Sequence, residues 1–239
     1  MITDQVPLGL SILFLIAFLV PLFLIVKLIR NFSSTTNGIL VLLFYLFFLL
    51  GVLLLQYNGY FSVVSLPPKI IVLTTLPLLA FYLVVIHQTT FYKKLVQNTP
   101  LAAWVQLHIF RLIGGFFLVL WALDTLPKTF ALIAGTGDII TALCSLYVAK
   151  AIKQQKRYAK RLTYIWNTFG LLDILATSFT AVLLTKWNIE TGTMGVDILT
   201  TFPYCFIPAF APATIIFLHV TIYKKLLKWE TTMMYQNRN

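Results

Sequence analysis

Apolar residues run through this chain in seven long stretches separated by short polar segments. No stretch alternates with the period of two that a half-buried strand requires. The stretches are Leu8–Val26, Gly38–Leu55, Ile70–Ile86, Ala102–Leu123, Phe130–Ala149, Tyr164–Leu184 and Phe202–Tyr223. Each holds about 17 to 22 residues, enough to cross a bilayer as a tilted helix. Helices are required because lipid offers no partner to a free backbone N–H or C=O. Barrel strands of about ten alternating residues are absent. The pattern predicts an all-α, polytopic membrane protein, with seven transmembrane helices in one domain over residues 1–239.

Composition agrees. Hydrophobic residues make up 59% and charged residues 10% of 239, where a soluble domain has about a quarter charged. A water-soluble fold, a disordered chain and a coiled coil are excluded. The formal charge of +11 would suggest nucleic acid in a soluble protein. Here the basic residues fall in loops, so topology explains them and no nucleic-acid partner is expected. Fourteen flank one set of loops, around residues 27–30, 93–94, 150–161 and 224–238; Lys69, Lys128 and Lys186 flank the other. The richer side is cytoplasmic by the positive-inside rule. The N-terminus is then outside and the C-terminus inside, in a cell membrane, with the bacterial inner membrane the expected one. The first stretch has no basic residue before it and is too long for a signal h-region, so it reads as an uncleaved span. Cys144 and Cys205 fall inside stretches, toward opposite membrane sides, and predict no disulfide.

Polar chemistry concentrates in spans four to seven. Ionisable residues at membrane depth are expensive and usually face the bundle interior. Span four carries His108 and Arg111, with Gly115 and Leu118 continuing at helical spacing. Span five carries Gly135, Asp138, Thr141 or Ala142, and Ser145. Span six carries Trp166, Asn167, Gly170, Asp173 and Thr177. Span seven carries Pro208, Pro212, Ile215 and His219. Helical rise puts Arg111, Asp138 and Asp173 roughly 14–17 Å above the cytoplasmic ends of their spans, near mid-membrane. These three are expected to form one network. One arginine facing two carboxylates leaves an acid that must take a proton, bind a cation or find other donors. The bland alternative is a buried ion pair that only fixes helix register.

His87, His108 and His219 all fall in the cytoplasmic third. Histidines on facing helices can hold haem or zinc, but no pair stands at i, i+4, and neither metal nor cofactor is expected. Pro203, Pro208 and Pro212 in FPYCFIPAFAPA each remove a helical donor, predicting a kink that could open a cavity outward. With no lysine in span seven, a retinal Schiff base there is excluded. The 150–161 segment would place its basic residues on one face if helical, which suits anionic lipids at about 1 kcal/mol per residue.

Several segments carry a resemblance: LHIFR (107–111), Pro127 eleven residues before Asp138, Asp138-Ile139, WNTFGLLD (166–173), and FPYCFIPAFAPA (202–213) followed by His219. In these the chain resembles an uncharacterised family of bacterial seven-helix integral membrane proteins, over about the C-terminal 60%. It departs from that family's pattern at Ala134, Gly135 and Thr136, where Gly-Arg-Asn stands in the family, and at Gly115, where Glu does. The resemblance implies a fold and no activity. Three functions compete. The first is small-molecule or ion transport, possibly proton-linked, or ligand binding, at Arg111, Asp138, Asp173, Asn167, His108 and His219. The second is a membrane-embedded metal- or haem-dependent enzyme. Hydrolases of the alkaline-ceramidase type match poorly, because His219 stands alone on the last span. The third is a scaffold or accessory subunit without chemistry. The balance leans against an enzyme. Beyond the bilayer itself a small-molecule ligand is possible, and the oligomeric state is open.

Overall fold

The structure is a computed structural model and describes residues 6–236. Asp4 and Arg238, which enter the charge balance, lie outside the described residues. The described residues form helices joined by short connections, with no strand among them. Seven helices are long and apolar enough to cross a membrane: Leu8–Phe32, Thr35–Tyr57, Ile71–Gln88, Leu101–Ala122, Lys128–Lys153, Ala159–Thr191 and Phe206–Lys228. They are spans one to seven below.

Local chemistry sets the ends. The Ser34 hydroxyl accepts from the Asn37 N–H at 3.1 Å and caps span two. Pro7, Pro100 and Pro127 each sit immediately before a helix, where a missing N–H costs nothing. Gly192, at φ 68°, ends span six in the left-handed conformation that a side chain would resist. That span runs 33 residues, well beyond the apolar stretch 164–184, because polar residues continue the helix at both membrane surfaces.

Two expectations change. First, the basic 150–161 segment is not one helix. Span five runs to Lys153, Gln155 turns at φ 50°, and span six starts at Ala159, so the basic residues divide between two helix ends. The shared-face argument for anionic lipid therefore fails there. Second, span seven starts at Phe206 rather than Phe202. Pro203 and Cys205 precede it, and Pro208 lies in its first turn, where no donor is needed. Only Pro212 lies in the helix interior. It leaves the carbonyl of Pro208, four residues back, without its usual donor, and Thr75 Oγ1 on span three donates to that carbonyl at 2.7 Å. The freed acceptor thus joins two spans instead of opening a gap. The connection after span three, on which the sequence pattern is silent, holds a short helix, Thr90–Asn98. Thr89 caps it, and Tyr92, Leu95 and Val96 are its buried face. Burial pushes the Tyr92 phenol up from its ordinary range.

Span seven occupies the centre, packed against spans two, three, four and six. Span five packs on four and six, and span one on two and four. Span two is largely exposed, as expected of a lipid-facing helix. Tyr45 is its polar exception: buried, it accepts from the Tyr82 hydroxyl at 2.9 Å.

Candidate functional site

Arg111 is the largest of the fully buried side chains, at 0% exposure. A guanidinium there must spend its donors on protein groups. Nε donates to Asp138 Oδ1 at 2.6 Å. Nη2 donates to Asp173 Oδ2. Nη1 donates to the Gly170 carbonyl at 3.0 Å and lies 3.3 Å from His219 Nε2. One side chain from span four thus reaches spans five, six and seven. The three charges expected at one depth do form one network, and Arg111 engages both acids rather than one of them.

The histidine's protonation pattern follows from its neighbours. Asn167 Nδ2 donates to the His219 carbonyl at 3.1 Å, which turns Asn167 Oδ1 toward His219 Nδ1 at 2.8 Å. Nδ1 therefore carries the hydrogen, and Nε2 is left with a lone pair for Arg111. This neutral tautomer adds no charge beside the arginine. His108 is fully buried as well, its ring 4.3 Å from that of His219 and edge-on to Trp166 at 5.1 Å. Neither of its ring nitrogens has a hydrogen-bond partner among the described residues. Trp166 Nε1 donates to the Thr141 carbonyl at 2.9 Å, tying span six to span five.

All six candidate residues, Arg111, Asp138, Asp173, Asn167, His108 and His219, therefore stand together. His219, alone on its span, is paired across the bundle by His108. His87 stays apart at the basic end, with Lys224 Nζ 3.2 Å from its Nε2. Among the described residues no group of three or more His, Cys, Asp or Glu is placed to hold a metal ion.

Three glycines make the approach possible. A Cβ at Gly114 would overlap the Asp138 side chain, and one at Gly137 would overlap the Asp173 carboxylate. A Cβ at Gly170 would lie 2.7 Å from His219 Cε1. Each of spans four, five and six thus offers one bare backbone position to a polar side chain of its neighbour. Regular helical spacing picks out Gly170 but puts Gly115 and Gly135 on the stripes, in place of Gly114 and Gly137. Helix winding explains the miss in span four. Residues His108–Gly114 form a 3₁₀ segment, which turns every 3.0 residues rather than 3.6 and moves the facing position from i+4 to i+3. Gly135 does face inward, but toward Leu118, 2.9 Å from where its Cβ would stand.

A bundle of seven apolar helices around a buried cluster of one guanidinium, two carboxylates and two imidazoles is an architecture for an integral membrane protein. The family follows from comparison: the domain of unknown function DUF8737 matches residues 67–227, and the chain belongs to that family. The match takes in spans three to seven, hence every member of the cluster, and leaves out spans one and two. Neither curated proteins nor solved structures give a match.

Proposed function

We propose that this protein is a multi-pass protein of the bacterial inner membrane, with its N-terminus outside, whose cluster holds one exchangeable proton and couples it to transport or binding of a small molecule. The observation that carries the reading is the charge count at one fully buried arginine. Asp138 and Asp173 both reach Arg111, and His219 is held neutral, so two carboxylates share a single positive charge. A net negative charge at that depth is costly, and one proton on the pair removes it. Arg111 grips one oxygen of each acid, so the proton belongs to the pair rather than to either residue.

Infrared difference spectroscopy on the reconstituted protein tests this. A carboxylic-acid C=O band at neutral pH, shifted in deuterated water and abolished in either Asp138→Asn or Asp173→Asn, is the expected result. Proteoliposomes of the same protein should show proton flux that one of these variants stops. Absence of the acid band would end the proton reading. A second reading, a static ionic lock that only fixes helix register, is favoured by the tightness of the packing around Arg111. It predicts the band without any flux.

Orientation is tested separately. Cysteines placed at Thr35 and Gln154 should be shielded from impermeant thiol reagents in intact cells, and one at Thr193 should react. Labelling at Gln154 from outside would invert the topology.

A further inference from the structure

A cavity of about 390 Å³ lies away from the ionic cluster, at the end of the bundle that carries most of the basic residues. Its volume falls in the range of small-molecule sites. Its wall is nearly all apolar: Ile29 of span one, Val41 and Tyr45 of span two, Tyr82 of span three, Leu95 of the short helix and Phe217 of span seven are among the residues that line it. Its polar groups are few: the Tyr82 hydroxyl donates to Tyr45 and sits 3.4 Å from Thr214 Oγ1, and the buried Trp104 Nε1 has no partner among the described residues. Such a wall selects a molecule that is mostly hydrocarbon.

The end of the cavity nearest the basic surface is different. Asn37, in the first turn of span two, lies there, so the positive end of that helix faces the rim. Lys224 Nζ stands 5.0 Å from the centre of the Tyr92 ring, another lining residue. Lys93 and Lys94 follow Tyr92 on the short helix. Asp124, Glu190 and Asp197 belong to the opposite end, and Asp138 and Asp173 to the core; Glu230, which the sequence places at this end, has a side chain outside the described residues. An apolar slot with a positive rim complements one class of molecule.

We infer that this cavity binds a long-chain fatty acid, its alkyl chain among Tyr45, Tyr82 and Phe217 and its carboxylate at the rim beside Lys224. The site shares no residue with the Arg111 cluster and stands or falls independently of the proton reading.

Photolabelling of the purified full-length protein in phosphatidylcholine nanodiscs, with palmitic acid carrying a mid-chain diazirine, is the test. Adducts should map to peptides containing Tyr45 and Tyr82, and unlabelled palmitate should displace the probe. Val41→Trp, which fills the slot, should abolish this labelling. Lys224→Gln removes the charge beside Tyr92 and keeps most of the side-chain stem. It should weaken palmitate competition about fivefold, the equivalent of about 1 kcal/mol per basic residue, and leave competition by palmitate methyl ester unchanged. Label spread over the exposed faces of spans one and two without displacement would overturn the site. Equal competition by the methyl ester would overturn the acid, and stronger competition by phosphatidylglycerol would assign the slot to a phospholipid instead.

Discussion

Spans two and seven are each 23 residues long in their apolar parts, yet 17% of the most apolar stretch of span two is buried in the protein and 67% of that of span seven. The more apolar helix is the more exposed one. In water the ordering would be the reverse. In lipid an aliphatic side chain gains little by leaving the solvent, so association rests on close packing and on polar groups with nowhere else to go. Span two carries Leu, Phe and Val on nearly every face and stays outside. Span seven carries Thr214, His219 and Thr221, all buried, and sits in the middle.

That contrast can be broken at Arg111. Arg111→Leu leaves two carboxylates without their counter-charge and should destabilise the protein by about 3–5 kcal/mol, read as a lowered unfolding midpoint in detergent. Adding Asp138→Asn or Asp173→Asn should restore part of the loss. Additivity within a few tenths of a kcal/mol at both acids would mean that the contacts contribute nothing. The glycines sharpen the comparison. Gly137→Ala forces a methyl into the space of the Asp173 carboxylate and should cost up to about 3 kcal/mol. Gly51→Ala on span two, with nothing within 4 Å of the new Cβ, should stay within about 0.5 kcal/mol of the parent in the same melt. A third pair compares phenylalanines. Phe210→Ala on span seven, 1% exposed, should cost about 2 kcal/mol, since only the cavity and lost packing count when the alternative medium is lipid. Phe47→Ala on span two, 78% exposed, should be near neutral. Among the substitutions expected to destabilise, Thr75→Val has the smallest effect. It withdraws the donor from the Pro208 carbonyl and should cost about 1 kcal/mol, visible as faster deuterium exchange at the start of span seven.

Much of this was legible in the sequence, for one physical reason. Rise per residue is nearly constant, so counting along each span puts Arg111, Asp138 and Asp173 at one height before any packing is known. Polar residues among apolar ones then mark which face turns inward. Angular position is less secure, because it depends on every turn having the same pitch. The 3₁₀ segment at His108–Gly114 breaks that assumption and hides Gly114. The histidine pairing was hidden for another reason. His108 and His219 are 111 positions apart and on spans whose adjacency no local pattern specifies. The prolines of FPYCFIPAFAPA suggested a break in span seven. Their consequence depended on where the helix begins and on a threonine more than half the chain away, neither of which composition reveals.

The spread of the ionic cluster along the chain has a consequence for how the protein is made. Arg111 leaves the ribosome first. Asp138 follows 27 residues later, Asp173 follows at 62 and His219 at 108. At about 5–20 residues per second, the guanidinium waits roughly 1–5 s for its first carboxylate and 3–12 s for its second. After span five the nascent bundle holds a neutral pair; span six brings the surplus negative charge; span seven closes the cluster with an uncharged imidazole. Insertion thus runs from a positive intermediate through a neutral one to the finished site, and a chain interrupted between spans four and five is the one left with an unmatched charge in the bilayer.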